Sequence, residues 1–78
     1  MKIGIPKAVK VLRLNLGLDQ QSFSKLLKLT NVTISNYEQG HFVPSTTNLI
    51  KLEYFARAAG FTDLAAIFRK AWKARVKI

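Results

Sequence analysis

Apolar residues recur along the chain at helical spacing. Ala8, Val11, Leu12 and Leu16 stand at i, i+3, i+4 and i+8, one face of a first helix. Pro6 suits a place just before that helix or in its first turn, and Gly17 ends it. Asp19 is placed to cap a second helix that runs to about Leu27 and turns Phe23, Leu26 and Leu27 inward. Thr30 is placed to cap a third, with Ile34 and Tyr37 on its buried side and Gly40 supplying the left-handed stop. A loop containing Pro44 leads to a fourth helix from about Thr46 to Ala59, striped by Leu49, Leu52, Phe55, Ala56 and Ala59 and closed by Gly60. Thr62 is placed to cap a fifth, with Asp63 in its first turn and Leu64, Phe68, Trp72 and Val76 along its apolar side. Lys2 to Ile5 could form a short extended arm; no alternating pattern elsewhere suggests a strand. The expected class is all-α, five short helices around one core.

Composition narrows the picture. At 78 residues the chain is expected to be one domain, 1–78, burying about 60–65% of its unfolded surface, too little for a sizeable internal pocket. Apolar residues make up 49%, which excludes a disordered chain. The absence of cysteine excludes disulfides, cysteine-ligated zinc and iron–sulfur clusters. No apolar run is long enough for a membrane span, and the segment Met1 to Lys7 is too short and too quickly charged for a signal peptide, so a cytoplasmic location is expected. His41 is the single histidine and the four acids are scattered, so no metal site is expected. There is no glycine-rich phosphate loop and no triad, and neither enzymatic activity nor a cofactor is expected.

Charge supplies the first positive clue. Lys and Arg number 13 against four acids, a net +9 that attracts polyanions: nucleic acid first, an anionic membrane surface or an acidic protein otherwise. The stretch from Asp19 to Gly40 says which. Two short helices are separated by two or three residues around Lys28 to Thr30, so they cross steeply. The outer face of the second is polar yet nearly free of charge: Asn31, Thr33, Ser35, Asn36 and Gln39, with Val32 as the one apolar member. Asn can bond two atoms of an adenine edge and a valine methyl can touch the thymine methyl, so this face suits the major groove.

The run Leu18-Asp19-Gln20-Gln21-Ser22-Phe23-Ser24, continuing through Thr30-Asn31-Val32-Thr33-Ile34-Ser35-Asn36-Tyr37-Glu38-Gln39-Gly40 and followed by Pro44, resembles the Cro and phage-repressor type of helix–turn–helix, the XRE-like family of transcription regulators. The resemblance covers about residues 12–61 and leaves a basic C-terminal segment, 62–78, outside it. It implies a five-helix, lambda-repressor-like fold with the helix–turn–helix at helices 2 and 3. It further implies that Asn31, Val32 and Asn36 face base edges, that Gln20 touches a phosphate and props the recognition helix, and that Thr33 and Ser35 make backbone or shape contacts. The loop Gly40 to Val43, with His41, would pass near the DNA backbone, and Arg13 would pair with Glu38 inside the domain. Two positions depart from the pattern: Ser24 stands where alanine is preferred, and Lys28 where glycine is usual in the turn. Lys28 would offset a strained turn by reaching a phosphate.

The function expected from these features is a sequence-specific double-stranded-DNA-binding transcription regulator, a repressor that binds an inverted-repeat operator as a homodimer with helix 3 in the major groove. The alternative is a protein-interaction module, an antitoxin or adaptor whose partner is a toxin, polymerase or competing regulator. A nonspecific architectural or RNA-binding protein would share the charge but would not need an uncharged amide face. The tail from Arg69 to Ile78 holds five of the 13 basic residues and admits three readings. It is the back of helix 5 with solvated lysines, or an arm toward the DNA backbone, or part of a dimer seam through Trp72, Val76 and Ile78.

Overall fold

The structure, a computed structural model, describes residues 3–76. It consists of α1 (Ile5–Asn15), α2 (Gln20–Leu27), α3 (Asn31–Gln39), α4 (Thr46–Ala58) and α5 (Thr62–Lys73), with no strand among the described residues. The helices divide into two compact units, 3–43 and 44–76.

In the first unit α1 and α2 both pack on α3. Helix α1 follows an extended Gly4 and carries Pro6 in its first turn, where the missing N–H costs nothing. The expected extended arm is therefore corrected: Ile5 is already helical, while Lys2 lies outside the described residues. The buried face of α1 is Ala8, Val9 and Leu12. Val11 and Leu16, expected on that face, are only half-buried, because the core sits on the Val9 side of the stripe. After Leu16 the chain turns at Gly17, whose φ of 73° is the left-handed conformation that favours glycine.

Helix α2 is capped by Asp19, whose carboxylate accepts from the Ser22 N–H at 2.7 Å. That bond holds the Asp19 carboxyl below its ordinary value. Phe23, Ser24 and Leu27 are buried. Leu26, expected inside, is 40% exposed: it lies one position before Leu27, on the outer side of the i, i+4 pair Phe23 and Leu27 that faces the core. Ser24 donates its hydroxyl to the Gln21 carbonyl at 2.6 Å, so the small polar residue is buried with its hydrogen bond satisfied. The turn closes through Lys28, in the left-handed region at φ 58°, with the Leu29 N–H bonded to the Ser24 carbonyl at 2.8 Å. Thr30 then caps α3 by accepting from the Thr33 N–H at 3.1 Å. Ile34 and Tyr37 are the buried residues of α3, and Gly40 stops it at φ 78°.

In the second unit Ser45 caps α4 through the Asn48 N–H, and α4 and α5 pack along one another. Their core is Leu49, Leu52 and Ala56 from α4 with Leu64, Ala65 and Phe68 from α5. Phe55 is half-buried, and Ala59 is exposed because the helix has ended at Ala58. Thr62 does not cap α5. It is the first helical residue, preceded by Phe61, whose own N–H returns to the Ala56 carbonyl at 2.8 Å to close α4. The α5 stripe stops short of Val76, which lies beyond the helix end at Lys73 and is 40% exposed.

One polar cluster lies within this second unit. Glu53 is buried on α4 and accepts from the Trp72 indole N–H at 2.6 Å and from Arg57 at 2.8 Å, with Arg69 at 3.7 Å. Burial pushes the carboxyl up, but the Trp72 and Arg57 hydrogen bonds bring it net below its ordinary value. Trp72 is thus committed to Glu53 inside the unit, and Ile78, named with it for a dimer seam, lies outside the described residues. Arg75 donates to the Pro44 carbonyl.

Candidate nucleic-acid interface

The inner side of α3 is fixed by apolar burial and by one carboxylate. Arg13, in the last turn of α1, donates Nε to Glu38 Oε2 at 2.6 Å and Nη2 to Oε1 at 3.0 Å. Its remaining Nη1 reaches the Leu18 carbonyl at 3.1 Å, in the link to α2. Gln20, opening α2, donates Nε2 to the same Glu38 Oε1 at 3.2 Å. The Arg13 and Glu38 side chains are 11% and 5% exposed. The bond to Glu38 raises the Arg13 guanidinium above its ordinary value. One carboxylate with three donors therefore ties the end of α1, the start of α2 and the end of α3 together.

The outer side of α3 is held less tightly. Asn31 and Val32 are exposed, Val32 at 68%. Thr33, Ser35 and Asn36 are half-buried. The Thr33 hydroxyl lies 2.8 Å from that of Thr30, and Ser35 accepts from Gln39 at 3.1 Å. Asn36 Oδ1 is 3.3 Å from His41 Nδ1, while the His41 backbone N–H donates to the Asn36 carbonyl at 2.9 Å. These two contacts draw His41 to the end of α3.

Of the nine residues of α3 only Glu38 is charged, and it faces inward. Positive charge stands beside the helix instead, on exposed Lys25 and Lys28. A rod of exposed amide, hydroxyl and methyl groups flanked by cations can meet base edges with its face and phosphates with its rim. Gln39, which the sequence places on this outer face without a specific contact, is exposed and stands seven residues after Val32 on the same side. Sequence reasoning missed the Leu18 carbonyl as a third anchor for Arg13, because a main-chain acceptor leaves no mark in the sequence. Exposed Phe42 and Val43 follow His41 in the loop.

Among the described residues no group of acids and histidines could hold a metal ion, and no helix is long and apolar enough to cross a membrane. A helix-turn-helix family model matches residues 9–62. No curated protein and no solved structure matches the chain. The family match spans more than half of the chain and includes all of α2, its turn and α3. With its all-α, lambda-repressor-like fold, the chain belongs to the Cro/C1-type, XRE-like helix-turn-helix family of DNA-binding transcription regulators.

Proposed function

We propose that this protein is a sequence-specific repressor that binds an inverted-repeat operator in double-stranded DNA as a homodimer, with α3 in the major groove. The observation that carries the reading is the uncharged outer face of α3, presented by a helix whose inner face is locked by Arg13, Gln20 and Glu38. In this reading Asn31, Val32 and Asn36 read base edges. Lys28, Thr33, Ser35 and His41 contact the sugar–phosphate backbone. Gln20 both braces Glu38 and lies at the α2 N-terminus, where main-chain N–H groups favour a phosphate. A single module of this kind buries roughly 600–1,000 Å² on DNA, little for tight specific binding. Two copies double the contact and read half-sites about 34 Å apart.

The test is selection of bound duplexes from a random pool at ~150 mM salt, with the selected sequence titrated against scrambled DNA. The expected result is an inverted repeat bound at least ~1,000-fold tighter than scramble. A pool with no enriched sequence and only weak, salt-sensitive binding would overturn the reading and turn the search to a protein partner, a toxin or another regulator.

A further inference from the structure

The chain leaves α3 through a left-handed glycine, and that turn brings an imidazole to Asn36. Gly40, at φ 78°, donates its N–H to the Tyr37 carbonyl at 3.2 Å, and the His41 N–H returns to the Asn36 carbonyl at 2.9 Å. These main-chain bonds fix where residue 41 starts, whatever its side chain. Its imidazole Nδ1 then lies 3.3 Å from Asn36 Oδ1. A carboxamide oxygen only accepts, so Nδ1 carries the hydrogen and donates. Asn36 is half-buried and His41 exposed, so the contact lies at the surface. The carboxamide of an asparagine that no neighbour holds turns over about χ2 at little cost. It then offers a base its oxygen and its NH2 group in either order. One held by its oxygen offers a single order.

We propose that His41 is a positioning residue that sets base specificity: it holds Asn36 by the oxygen, so that the NH2 group meets the base edge, an assignment that rests on the base-reading role given to Asn36 above. The base this order favours is guanine. Guanine presents two acceptors in the major groove, N7 and O6, which match the two hydrogens of one NH2 group. Adenine sets a donor beside its N7 acceptor and needs the carboxamide oxygen as well as the NH2 group. With that oxygen engaged by His41, adenine loses half of its pairing. Positioning and backbone contact are compatible on one ring. An imidazolium donates from both nitrogens, so Nε2 can meet a phosphate oxygen while Nδ1 keeps Asn36. The loop after α3 thus takes part in choosing the base without touching it.

The test is the affinity of wild type, His41→Ala, His41→Gln, Asn36→Ala and the double variant His41→Ala/Asn36→Ala for the selected operator, its single-base-pair variants and scrambled DNA, at ~150 mM salt. His41→Ala removes the ring and keeps the main-chain bond to the Asn36 carbonyl, so its helical circular dichroism should match wild type. Asn36→Ala identifies the base pair by flattening the preference there. The expected result is G·C at that pair. His41→Ala should lose about tenfold of the G·C over A·T preference there and leave the other positions as they were. His41→Gln, whose amide can donate to the same oxygen, should keep most of it. The double variant should discriminate no worse than Asn36→Ala. A His41→Ala variant that weakens operator and scramble alike, with the preference intact, makes the ring a backbone contact alone and overturns the proposal. So does an A·T pair preferred at that position. If Asn36→Ala flattens no position, or no duplex is selected, base reading by Asn36 itself fails, and the positioning role falls with it.

Discussion

Arg13 grips Glu38 with two parallel hydrogen bonds, 2.6 and 3.0 Å, across 25 residues of sequence and with both side chains largely out of water. Such a pair contributes modestly when intact and costs heavily when halved, because the remaining charge is left buried and uncompensated. Arg13→Met and Glu38→Leu alone should each lower unfolding stability by ~3–5 kcal/mol, while the double variant recovers most of the loss. Urea denaturation of the four proteins in a mutant cycle checks this. Single and double variants equally destabilised would mean that packing, not pairing, sets the cost.

Lys28 is the one non-glycine residue among those described with a positive φ, at 58°. A side chain there crowds its own carbonyl, so Lys28→Gly should raise stability by about 1 kcal/mol despite the greater freedom glycine has when unfolded. The same change removes a cation from the rim of the interface. Affinity for all duplexes should fall together, and the slope of log K against log salt should shrink by about one. A more stable protein with an unchanged slope would show that the lysine touches no phosphate.

Glu53 gives the second unit a dependence on acid. Its carboxyl is held below the ordinary 4.5, so the folded state binds that proton less readily than the unfolded chain does. The stabilisation is fully present above about pH 5 and is lost as pH falls through the depressed folded value. Glu53→Gln should be less stable than wild type at pH 7, and the gap should close on acidification. Trp72 fluorescence follows the transition, since its indole nitrogen lies 2.6 Å from the carboxylate. A gap that stays constant down to pH 3 would remove the charge from the account.

Much of the helical framework could be read from spacing and caps. Asp19 and Thr30 are polar caps whose bonding partners lie three residues on, and short-range geometry of this kind is written directly in sequence. Where reading failed, longer-range packing decided. Leu26 and Val9 are both apolar, and only the direction from which α3 packs makes one exposed and the other buried. Thr62 is a good cap by type, but the closure of α4 through Phe61 set the start of α5 first. The outer face of α3 was legible as an uncharged strip. Its pairing of Asn36 with His41 was not, because a contact past a left-handed glycine depends on the φ that Gly40 adopts. The Glu53 cluster was silent for a similar reason: Trp72 lies 19 residues away, and its apolar spacing pointed to plain core.

The central claim is that α3 reads bases, and the most direct measurement is the affinity of wild type, Asn31→Ala and Asn36→Ala for the selected operator, for each single-base-pair variant of it, and for scrambled DNA. Each substitution should weaken the operator by ~1–3 kcal/mol and flatten the preference at one base pair, leaving the other positions and scrambled DNA nearly unchanged. Equal weakening on operator and scramble, with every positional preference intact, would contradict base reading by α3 and leave charge as the sole source of affinity.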